Sequence, residues 1–181
     1  MSLPVTKRPS TAFYSSDLFG LGIGYVMVCR FKATGACEAG VFLVDVFCLG
    51  AKNAFFTKIE RLDFDDLIHK IFPGPPTEIS PECGRKLVED AVAYAARFGF
   101  APHADYKQAC RVFGGIRAEE CSCDFVFGQD GKPLYVNGPN ESQRQIDIIM
   151  AKLEKHAGSE EFNYLLGVPE GETMPEERCP G

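Results

Sequence analysis

The sequence predicts an α+β domain, with two β-hairpins at about residues 23–49 and 123–136 in a mixed or antiparallel sheet covered by four to five helices. Three observations predict it. Two apolar, β-rich runs, Ile23 to Lys32 and Ala39 to Leu49, flank a short link carrying Gly35. A well-signalled amphipathic helix follows from Ser80 to Gly99. A second pair of strand-like runs, Cys123 to Phe127 and Leu134 to Val136, flanks Gly128-Gln129-Asp130-Gly131-Lys132. Strand signals that arrive in pairs with helices between them, rather than in strict alternation, mark an α+β arrangement.

Each element has a local reason. Residues 1–20 are polar, carry Pro4 and Pro9, and read as an irregular arm before a domain at 21–167. The first hairpin is apolar on both faces of both strands, so it should be central and covered on both sides. Centring its turn on Thr34-Gly35 pairs Lys32 with Cys37, Val28 with Val41 and Gly24 with Asp45. Gly50 ends the second strand. Leu62 to Phe72 reads as a short helix, stopped by Pro73-Gly74-Pro75-Pro76. Ser80 supplies an N-cap, Pro81 the first helical position, and Leu87, Val88, Ala91, Val92, Ala95 and Phe98 a buried face. Asp105, with Gln108, is expected to cap a helix from about Tyr106 to Phe113, which Gly114-Gly115 ends. Asp130-Gly131 supplies the turn of the second hairpin. Ile146, Ile149, Met150 and Leu153 mark a long helix ending at Gly158, and Ser159 is expected to cap a short final helix. From Val168 the chain is acidic, rich in Pro and Gly, and without an apolar face, the pattern of a disordered tail.

Composition excludes several classes. The chain has 181 residues, 45% hydrophobic and 24% charged, with mean hydropathy −0.08. It has none of the ~18-residue apolar runs that a membrane span requires. Lys7 and Arg8 have no apolar run behind them, so no secretory leader is expected and the cytoplasm is the expected location. Net charge is −6, of which residues 141–181 supply −5. Duplex nucleic-acid binders carry a basic stripe, because counterion release drives their binding, and none is visible. The expected partner is therefore a small molecule or a protein, with no membrane role. Eight cysteines in such a chain are expected to be reduced and mostly structural.

Four residues stand out as candidate chemistry. Asp45 lies in Val41–Gly50, a stretch that should be buried, and a buried carboxylate needs a partner, bonds or a proton. It reads either as a general base, metal ligand or binding group, or as structural, paired with Arg30 or Lys52 or bonded to backbone in the Gly20-Leu21-Gly22-Ile23-Gly24 segment. Cys48 falls near the strand end but on the opposite face of a regular strand, and a thiol nucleophile needs a nearby histidine or positive charge. A buried core cysteine is the plainer reading. Lys52, just past the strand end, suits an anion or Asp45. His103 is the one histidine placed to act as acid or base, and its plainer role is to bond local backbone. Cys121-Ser122-Cys123 offers half of a zinc site, with Cys110 and His103 the nearest additions in sequence at no familiar spacing. The glycines at 20, 22 and 24 precede a strand, so they are not a dinucleotide-binding loop.

The segments GIGYVMVCRF and GVFLVDVFCLGAKNAFF, with GFAPHADY and FGQDGKPLYVNGP further on, resemble a family of uncharacterised bacterial proteins that share a GxGxVxVxR strand and an LVDxxCLGxK block. The resemblance covers roughly residues 20–166. It implies a domain and assigns no activity or cofactor, and it places Asp45, Cys48, Gly50 and Lys52 in the densest shared block. Three functional readings stand: a hydrolase or nuclease-like enzyme with its site at the end of the second strand, a non-catalytic binding or accessory module of a larger assembly, and a zinc-stabilised interaction domain.

Overall fold

The computed structural model describes residues 9–167. Its centre is a five-stranded antiparallel sheet in the order β4-β3-β2-β1-β5. The strands are β1 (Ser10–Tyr14), β2 (Ile23–Phe31), β3 (Ala36–Asp45), β4 (Gly50–Glu60) and β5 (Thr77–Ile79). The helices are α1 (Leu18–Leu21), α2 (Phe64–Ile71), α3 (Pro81–Ala96), α4 (Tyr106–Ala109) and α5 (Gln143–His156). A separate two-stranded parallel pair joins β6 (Leu134–Val136) to β7 (Asn163–Leu165). The α+β class is therefore as the sequence predicts. No helix among the described residues is long and apolar enough to cross a membrane.

The sheet is buried on both faces, as two all-apolar strands require. On one face Val26, Val28, Phe42 and Val44 pack against Leu87, Val88 and Ala91 of α3. On the other, Met27, Cys29, Cys37 and Val41 pack against Ile68 and Phe72 of the α2 region. A third cluster lies beyond the sheet. There Cys48 and Leu49, from the β3–β4 turn, meet Phe98, Tyr135, Ile146, Leu153 and Phe162. Ser80 caps α3, its Oγ accepting the Cys83 N–H at 3.1 Å, and Ser142 with Gln145 forms a capping box on α5.

Several expectations are corrected. Residues 10–20 are not a loose arm: Ser10–Tyr14 form β1, between β2 and β5. The hairpin register is shifted by one, so Asp45 faces Ile23 and Gly24 faces Val44. The reason is the turn. Lys32 N–H donates to the Ala36 carbonyl at 2.8 Å, which leaves a three-residue loop closed by left-handed Gly35 at φ 92° rather than a two-residue turn. The chain also does not leave the sheet at Gly50 but turns back into the eleven-residue β4.

The expected second hairpin exists only as its turn, a Gln129↔Lys132 bridge. The 123–127 segment makes no strand because its side chains serve α3 and α1 instead: Phe127 stacks on Tyr94 and Phe125 on Phe19. The final segment is the strand β7 and not a helix. Asp105 makes no side-chain cap on α4; its N–H donates to His103 Nδ1 at 3.2 Å. The predicted tail, 168–181, lies outside the described residues.

One cation cluster decorates the far end of the sheet. Glu38 takes Arg30 at 2.9 Å, Lys32 at 3.1 Å and Lys58 at 3.2 Å. Burial works against its carboxylate, but bonds from Lys32, Lys58 and Arg30 prevail and bring its pKa from 4.5 down to about 2. A depressed folded-state pKa stabilises above the unfolded value and is lost as pH falls toward the folded one. Glu38→Gln should therefore lower the melting temperature at pH 7, and the gap should close between about pH 4.5 and 2. A gap that persists at pH 2 would refute the assignment.

Candidate functional site

The β3–β4 turn builds the site. Asp45 ends β3, and its Oδ1 accepts the N–H groups of Phe47 at 3.0 Å and Cys48 at 2.8 Å. An aspartate that bonds the backbone two and three residues ahead organises a tight turn. The turn then leads into β4 through a bulge. Leu43 pairs with Asn53 and Val44 with Ala51, which leaves Lys52 as the unpaired extra residue. Bulges re-aim a side chain, and this one sends Lys52 to Glu141, with Nζ 2.9 Å from Oε1. The other Glu141 oxygen accepts from the Tyr135 hydroxyl at 2.6 Å.

The glycine run is explained by packing. Gly22 is left-handed at φ 81° and lies flat under the Phe47 ring, and its carbonyl accepts the Val46 N–H at 2.8 Å. Gly24 faces Ser15 and Leu18, so the space it leaves is filled by them and not by Asp45. These contacts lock the turn against the β1–β2 connection.

Between the turn and the β6 region opens a cleft of about 220 Å³, lined by Leu21, Gly22, Ile23, Asp45, Phe47, Lys52, Leu134 and residues 136–139. Its base is charged: the Asp45 carboxylate and the Lys52 ammonium, which Glu141 pairs. Its rim is apolar and partly open to solvent, with Leu21 64%, Ile23 40% and Val136 45% exposed. Desolvation pushes the Asp45 pKa from 3.8 up to about 6, against the opposing pull of the Cys48 N–H, the Lys52 charge and the Leu49 and Phe47 N–H groups. Glu141 moves the other way. Burial alone would raise it, but the bonds from Tyr135 and Lys52 hold it below its usual value.

Of the four sequence candidates, the structure brings two together. Asp45 and Lys52 share the cleft. Cys48 is fully buried in the α5 cluster, and burial with the Asp45 charge pushes its thiol well above the usual range, so it is a core residue and not a nucleophile. His103 does not line the cleft; its ring accepts from the Asp105 N–H, and its backbone N–H donates to the Ala51 carbonyl at 2.9 Å. Asp45 pairs with neither Arg30, which belongs to Glu38, nor directly with Lys52, which belongs to Glu141.

Sequence reasoning missed Glu141 and Tyr135. Their signal was faint: a tyrosine in a short apolar run and a carboxylate just after Gly138-Pro139-Asn140. The cysteines also differ from expectation. Cys83 and Cys121 form a disulfide, with Cys123 beside them, while Cys110 and His103 stand apart from that group. The missed partner, Cys83, lies 38 residues before Cys121 in the first turn of α3. Comparisons with protein-family models, with curated proteins and with solved structures find no match to this chain.

Proposed function

We propose that the protein is a binding module whose cleft beside the β3–β4 turn takes a ligand with a cationic or hydrogen-bond-donating head and a short apolar body. The observation that carries this reading is the charge balance at the base: Asp45 and Lys52 line it, and the Lys52 ammonium is already paired with Glu141, which leaves the Asp45 carboxylate under an apolar rim. Sites of this type combine an apolar wall with a few convergent polar groups. The hydrolytic reading has one observation in its favour, an Asp45 pKa near 6 that suits proton transfer. Against it, Asp45 Oδ1 is engaged by two backbone N–H groups, Cys48 is sealed in the core, and His103 lies elsewhere. No nucleophile–base pair is assembled among the described residues of the cleft.

The test is an NMR titration of the labelled protein at pH 8 with n-butylammonium and, separately, with butyrate. The amine should shift the amides of Gly22, Ile23, Lys52 and Gly138, and Glu141→Gln should abolish those shifts. Butyrate should leave them in place. Shifts from butyrate, or from neither compound, would overturn the ligand class. Turnover of an ester or phosphodiester that disappears in Asp45→Asn would overturn the binding-module reading in favour of an enzyme.

A further inference from the structure

A second group of side chains converges at the first turn of α3. The sulfurs of Cys83, Cys121 and Cys123 all lie within 4.8 Å of one another. Cys83 Sγ is 3.5 Å from Cys123 Sγ, and the Cys123 N–H donates to Cys121 Sγ at 3.3 Å. Cys83 is buried on a helix, Cys121 is half-buried and Cys123 is exposed on a loop. We propose that this convergence of one helical and two loop cysteines is a zinc site in the reduced protein, and that the Cys83–Cys121 disulfide is the metal-free, oxidised state of the same three residues.

The chemistry supports it. Zinc selects thiolates and takes ligands from two short segments separated in sequence, here Cys83 and the Cys121-Ser122-Cys123 pair. Three thiolates and one zinc carry a net charge of −1. Cys83 sits in the first turn of the sixteen-residue α3, and Lys86 reaches over the site to donate to the Cys123 carbonyl at 2.9 Å. Both favour deprotonated sulfur. Cys123 is exposed, so water can supply the fourth ligand.

There is also a structural need. Around the cluster, residues 117–133 hold only one 3-10 turn, Ala118–Glu120, and the isolated Gln129↔Lys132 bridge. They are tied to α3 by the disulfide, by Lys86 and by Phe127 stacked on Tyr94, and just before them Arg85 donates to the Ile116 carbonyl at 2.6 Å. A metal would keep the loop fastened when the disulfide is opened. The conversion balances. A dithiol reductant gives two electrons and two protons to the S–S bond and becomes a disulfide itself, and zinc then displaces one proton from each of the three thiols. In the reverse direction hydrogen peroxide takes two electrons from the Cys83 and Cys121 thiolates and two protons from solvent and is reduced to two waters, the Cys123 thiolate takes a further proton, and zinc leaves as Zn²⁺.

The experiment uses the full chain, reduced with a phosphine, freed of metal and titrated with Zn²⁺ against a chromophoric chelator. One zinc per chain should bind, more weakly as pH falls, and oxidation should abolish binding. Cys123→Ser, at an exposed position, should weaken it by more than the ~10–100-fold that outer-shell changes cost. Cys110→Ser should leave it unchanged. With Co²⁺ in place of zinc, the wild type should show sulfur-to-metal charge-transfer absorption. The proposal is overturned if the reduced wild type takes up no zinc, or if Cys123→Ser binds as tightly as the wild type. It is equally overturned if peptide mapping finds a Cys83–Cys123 disulfide without metal uptake, since the trio then exchanges disulfides and binds nothing.

Discussion

Asp45→Asn is expected to destabilise the fold by about 1 kcal/mol at pH 4 and to stabilise it at pH 8. The Asp45 pKa rises from 3.8 to about 6 on folding, chiefly through desolvation. The folded chain therefore holds a proton that the unfolded chain releases. That difference stabilises the fold fully below about pH 4 and is lost as pH rises through about 6. Asparagine keeps an oxygen for the Phe47 and Cys48 N–H groups and carries no charge to desolvate. It loses the bond from Leu49 N–H, worth about 1 kcal/mol. At roughly 1.4 kcal/mol per pKa unit, the net gain at pH 8 is about 1–3 kcal/mol. Denaturant melts of both proteins at the two pH values measure it. A loss of stability at pH 8 would mean that the ionised carboxylate is needed by the fold, and the turn would have to be explained by an ion pair instead.

Leu87→Ala is expected to be the most damaging of the simple core truncations on α3. Leu87 is fully buried, and it packs with Val88 and Ala91 against β2 and β3. Removing a buried leucine leaves a cavity and costs about 2–5 kcal/mol, out of the ~5–15 kcal/mol that hold a typical domain. Leu62, 95% exposed at the start of the α2 region, is the matched control, and its replacement by alanine should stay within ~0.5 kcal/mol. Thermal melts distinguish the two directly. Equal, small effects would mean that the buried face of α3 is misassigned.

Much of this was legible in the sequence because local signals and tertiary needs agreed. Ser80-Pro81 and the apolar spacing through Phe98 fix α3 almost to the residue. The double-faced apolarity of 23–49 correctly demands cover on both sides. What failed were places where a small local choice decides a larger one. A two- and a three-residue turn around Gly35 look alike in sequence, yet they move every cross-strand partner by one position. The strand β4 was hidden because its side chains alternate only weakly: Ala54 is buried, Phe55 is not, and Lys52, Lys58 and Glu60 interrupt the run. The site suffered in the same way. Asp45 was visible as an anomaly, but Glu141 and Cys83 join their clusters only through packing of segments 89 and 38 residues away, which no spacing rule encodes.

The bulge at Lys52 also bears on how the molecule avoids its own kind. An open sheet has two edges, and each is a row of backbone groups that another strand can extend. Here one edge is β5, only three residues long. The other is β4, long enough to seed a filament if it were flat and bare. It is neither. The bulge breaks its ladder at Lys52, the His103 N–H occupies the carbonyl of Ala51, and Lys58 and Glu60 stand charged and exposed along the remainder. The irregularity that turns Lys52 toward Glu141 thus also interrupts the template for edge-to-edge aggregation, so a substitution that straightens β4 would carry a solubility cost separate from any effect on the cleft.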